Sequence, residues 1–109
     1  MFMRTALLFA CVVLFAPPAF AQVFGSVHCK AALRQIDVDL KATQRKLDSV
    51  QTSTPAEKCS AMRVHILTLE HASEVLGRCT EGGERSDRVR QTDASAAELR
   101  ATFAKSCGG

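Results

Sequence analysis

Apolar residues recur along this chain with a helical period and without the alternation that marks a strand. In the first such segment Cys29, Leu33, Ile36, Leu40, Thr43, Leu47 and Val50 follow one another at alternating steps of 4 and 3. That is a heptad seam in which only Thr43 is not apolar. Ser26 is the predicted N-cap of this helix.

The second helix has the clearest start. Thr54-Pro55-Ala56-Glu57 combines a capping hydroxyl, proline in the first turn and a capping-box glutamate. Its seam runs through Cys59, Met62, Ile66, Leu69, Ser73 and Leu76, and Val64, Leu67, Ala72 and Val75 widen it. Gly77 and then Gly82-Gly83 are expected to end this helix and form a loop. The third segment, about 86–106, places Val89, Ala96, Leu99 and Phe103 on one face, interrupted by Thr92 and Asp93. Small residues at 95–97 favour a helix but bury little, so its N-terminal half is expected to be the least stable part. Short connections predict an all-α, up-down-up three-helix bundle.

The residues ahead of the seam read as an export signal. Met1-Phe2-Met3-Arg4 is a short basic start, an apolar run of about 11 residues follows, Pro17-Pro18 end it, and Ala19-Phe20-Ala21 has the small-x-small cleavage pattern. The run is short of the ~20 residues that span a bilayer, so no stable membrane anchor is expected after cleavage. Cys11 would leave with the signal. Residues 22–109 then form a single helical domain in a periplasmic or secreted location. A domain of that size is marginal without cross-links, and its four cysteines, Cys29, Cys59, Cys79 and Cys107, can be oxidised there.

Helix rise selects among the three ways of pairing four cysteines. Residues 29 to 50 climb roughly 32 Å, and the second helix descends as far, leaving Cys59 high and Cys79 low. The third helix carries Cys107 back up. Because bridged Cα atoms lie within about 7 Å, only Cys29–Cys79 and Cys59–Cys107 satisfy the topology. These are expected to be structural bonds, since no Cys-x-x-Cys redox or haem-attachment motif exists.

The remaining chemistry is sparse. The formal charge is +3, one unit less once Arg4 is removed, and it is dispersed. That argues against nucleic acid. His65 and His71 are six apart and point in different directions around a helix, so no metal pair is expected. Carboxylates interleave with Lys41 and Arg45, and no serine occupies a nucleophile elbow. Catalysis and cofactors are therefore not expected.

Two features point outward. Val64, Leu67 and Val75 exceed what one seam needs and form a candidate partner face, with a groove expected between the first and second helices beside the thin part of the third, where Thr92, Ala96 and Ala97 cover little. Arg85, Arg88 and Arg90 form a candidate anion patch near a helix start, with Glu84 and Asp87 interleaved. The expected role is a non-enzymatic interaction or envelope-support module that takes a protein, a peptide or a second copy. The alternative is a small metal- or anion-binding carrier using His65, His71 or the arginines.

Overall fold

The computed structural model describes residues 16–108, with side chains from His28 onward. Of the export signal read over residues 1–21, residues 1–15, including Cys11, lie outside the described residues. Three helices account for the described chain: α1 (Ala16–Ser49), α2 (Pro55–Cys79) and α3 (Gly82–Ser106). No strand occurs among the described residues, and none of their helices is long and apolar enough to cross a membrane.

α1 begins ten residues before Ser26, so Ser26 lies inside the helix and does not cap it. Pro17 and Pro18 fall in the first turn, where backbone N–H groups have no intrahelical acceptor and proline is tolerated. The α1–α2 turn closes through the Ser53 N–H to the Val50 carbonyl at 3.0 Å, and Val50 is buried beneath it. α2 starts as its sequence dictates. The Thr54 hydroxyl accepts the Glu57 N–H at 3.3 Å, and Pro55 occupies the first turn.

The α2–α3 connection is shorter than expected. α2 runs through Gly77 to Cys79, and α3 starts at Gly82 rather than near residue 86. Thr80 makes the turn possible. Its N–H and its buried hydroxyl both donate to the Leu76 carbonyl, at 3.1 and 2.5 Å. Gly82 then adopts φ +60°, a left-handed conformation that a side chain would oppose. With the reversal confined to Thr80 and Glu81, Gly83 is free to join the helix.

Packing is uneven along the bundle. At the lower end Ile36, Ala72, Val75 and Leu76 form a buried cluster, against which Leu33, Leu40 and Val89 pack. Higher up, α2 supplies Ala61, Met62, Ile66 and Leu69, whereas α3 buries only Ala96. Residues 81 to 88 are all exposed, so the first turns of α3 bury nothing of consequence.

Polar residues that interrupt the seams meet one another. Thr43 of α1 lies 2.6 Å from Nδ1 of His65 on α2, and the Ser73 hydroxyl donates to Asp93 at 2.5 Å. Further up the α2–α3 face, Arg100 pairs with Glu70 at 2.9 Å and Arg63 stacks 5.4 Å above the Phe103 ring. Glu70 and Glu74, like charges one turn apart, are thus offset by Arg100 and by Arg78 at 3.9 Å.

Both expected disulfides are present. Cys29–Cys79 joins α1 to α2 at the lower end with a Cα separation of 5.2 Å. Cys59–Cys107 joins α2 to the end of α3 at the top with a separation of 5.8 Å. They span 50 and 48 residues of sequence, so each is worth about 4 kcal/mol in the chain-entropy account. Non-reducing peptide mapping is expected to return these two bridges and no Cys59–Cys79 product. Replacing Cys59 and Cys107 together by alanine should cost about 2–4 kcal/mol in denaturant unfolding.

Candidate functional site

The feature that stands out is a gap. α1 and α3 both pack on α2, yet among the described residues no Cα of α1 comes within 8 Å of a Cα of α3. At the lower end, Val89 helps to close the space by packing on the Ile36 cluster. Above it the two helices leave an open trough of about 660 Å³. His65 and Leu69 of α2 form the floor. Leu40, Lys41, Gln44, Arg45 and Leu47 make one wall, and Ser95, Glu98, Leu99 and Thr102 the other.

A second space of about 410 Å³ continues the trough upward. It shares Leu47, Leu99 and Thr102 and reaches Met62 and Cys59 beside the upper disulfide. The trough is therefore apolar along its base, through Leu40, Leu47, Met62, Leu69 and Leu99. Its rims are polar. Lys41 and Arg45 stand on the α1 side and Glu98 on the α3 side.

The cause lies in α3. Ala96 is its buried contact, and the neighbouring Ser95 and Ala97 have too little side chain to reach across to α1. Helices that meet at alanine pack closely, which draws α3 onto α2 and away from α1.

His65 is the titratable group in the floor. It is buried at 7 % exposure, with Thr43 as its partner. Burial penalises the charged ring and pushes its pKa below the ordinary 6.5, and the carboxylate of Asp48 opposes this in part. The side chain is thus poised as a neutral, hydrogen-bonded ring.

Of the candidate partner face, Val64 and Leu67 are exposed at 50 % and 58 %. Val75 does not join them. It is 2 % exposed, because it falls on the side of α2 that faces α1, where it completes the lower core. Val64 and Leu67 border shallow depressions of about 330 and 280 Å³ between α1 and α2. The larger space is on the opposite side of the α1–α2 seam.

The arginines do not converge. Arg85 donates through Nε to the Thr80 carbonyl at 2.7 Å and braces the α2–α3 turn. Arg88 pairs with Glu84 at 3.4 Å and Arg90 with Asp87 at 3.0 Å. No group of three His, Cys, Asp or Glu side chains suited to a metal forms among the described residues. Cys29 and Cys79, the nearest sulfur atoms in sequence to His28 and Arg78, are joined to each other.

Sequence reasoning expected a groove between the first and second helices beside the thin part of the third; the structure has shallow depressions between α1 and α2 and a larger space over α2 beside residues 95–102 of α3. Leu40, Leu47, Leu69 and Leu99 were read as seam residues, which they are; what the seams left out was that α1 and α3 fail to meet over them. The run of small residues at 95–97 was the one available signal. No known protein family, curated protein or solved structure matches this chain.

The buried ring sets a pH dependence with a definite sign. Its pKa is lowered in the folded state, so stability is full above the unfolded value near 6.5. It falls as pH drops below that value, because the unfolded chain then binds the proton more readily. Thermal midpoints are expected to be flat from pH 8 to about 6.5 and to decline below it. His65→Leu should flatten the first part of that decline; an unchanged slope would assign it to other groups.

Proposed function

We propose that this protein is an exported, non-enzymatic binding module that receives part of a protein partner in the trough between α1 and α3. The observation that carries the reading is a set of half-buried leucines facing an open space. Leu40 and Leu47 of α1 and Leu99 of α3 border it above buried Met62 and Leu69, and neither flanking helix closes it. Contiguous apolar surface left open and rimmed by polar groups is the usual mark of an interaction site.

The export reading draws on the basic start, short apolar run and Ala19-Phe20-Ala21 pattern. Two disulfides in a small helical chain are consistent with an oxidising compartment. The anion-carrier alternative has less support, since Arg85, Arg88 and Arg90 are each engaged by a neighbour.

Two measurements test this. Intact mass of the exported protein should correspond to a chain starting at Gln22 with both disulfides formed. A photo-crosslinking residue placed at Leu99 should give a discrete protein adduct in the native host, and one placed at Leu67 should not. Adducts at Leu67 alone, or at neither position, would remove the trough from the account.

A further inference from the structure

We infer that the occupant of the trough is an amphipathic helix of about three turns, with one acidic and one basic flank, which supplies the missing corner of a four-helix bundle. The inference rests on the trough being the binding site, and specifies what binds there.

The arrangement of the three helices carries it. In a square four-helix bundle each helix packs on two neighbours and lies diagonal to the third. α2 has this relation to α1 and α3, which contact it and do not approach each other. They are diagonal partners, and the vacant corner is the one opposite α2. The vacancy has the length of a short helix. Along α3 it runs from Ser95 to Ser106, about 16 Å at helical rise. That is the length of about 11 residues, enough to place apolar side chains at i, i+3, i+4 and i+7 on Leu40, Leu47, Leu69 and Leu99.

Charge on the rims sets the flanks. Lys41 and Arg45 stand along the α1 wall; Lys41 also contacts Asp37 of its own helix at 3.0 Å, and Arg45 makes no ion pair among the described residues. Glu98 stands on the α3 wall. A helix lying between them meets positive charge on one side and negative on the other, so complementarity calls for an acidic flank towards α1 and a basic flank towards α3.

Among its described side chains a second copy offers Val38 on α1 and Val64 and Leu67 on α2 as exposed large apolar residues, too short a stripe on either helix for three turns.

The test uses synthetic 15-residue peptides that share one leucine face, titrated into the oxidised protein and followed by fluorescence anisotropy and helical circular dichroism. One carries an acidic and a basic flank, another two basic flanks. The wild type should bind the mixed peptide about five- to tenfold more tightly, with a gain of helical signal. The K41E/R45E protein, whose two walls are both acidic, should invert that order, and Leu99→Arg should abolish binding while Leu67→Arg leaves it unchanged. If the peptides bind equally and Leu99→Arg still abolishes binding, the trough stands as the site but the flank inference falls. Failure of every peptide to bind, or a dimer dispersed by Leu99→Arg, overturns the helical occupant outright, whereas crosslinking at Leu99 judges the trough separately.

Discussion

Most of what holds α1 and α3 in position passes through α2, because among the described residues the flanking helices have no close backbone approach and only Val89 of α3 reaches the lower cluster to which α1 contributes Ile36. Each is tied to α2 by one covalent bond and one stretch of packing, and the two bonds lie at opposite ends. α1 gains its packing low down, on Ala72, Val75 and Leu76. α3 gains less, since Ala96 is its one fully buried residue and Val89, Leu99 and Phe103 are half-buried. Burial of apolar area stabilises by about 25 cal/mol per Å², so a helix that buries this little leans on its cross-link. The upper disulfide is therefore what makes α3 a wall of the trough.

The polar residues in the seams have a second effect. A heptad seam of leucines permits neighbouring helices to slide by a turn at modest cost, because one apolar contact replaces another. Thr43 against His65 and Ser73 against Asp93 do not slide in this way. Moving the first pair by a turn would leave part-buried His65 without a partner, which costs about 1–3 kcal/mol; the second pair is exposed and adds less. No buried side-chain polar atom among the described residues lacks a partner, so the observed register is the satisfied one.

Where the sequence speaks through local chemistry, it is accurate. Thr54, Pro55 and Glu57 mark the start of α2, and helix rise alone picks the disulfide pairing, since geometry leaves no other choice. It misleads where a residue has two uses. Gly82-Gly83 reads as a loop, yet the reversal falls on Thr80 and Glu81 and both glycines open a helix, Gly82 at positive φ. Ser26 is a good cap at a position where the helix is already under way. Val75 reads as surplus apolar surface, but the face on which it lies is decided by where α1 packs. The trough was the least legible feature, because it is an absence of contact between two helices whose individual patterns are ordinary.

The short reversal at Thr80 and Glu81 gives α3 an unusual mechanical status. With Gly82 as its pivot and Cys107 as its far anchor, the helix is a beam pinned at both ends and lightly bonded in between. Breaking the anchor would convert the beam into a swinging arm. The width between the walls would then no longer be fixed, so the spacing of the jaws is a property of the bond at Cys107 more than of the helix that carries it.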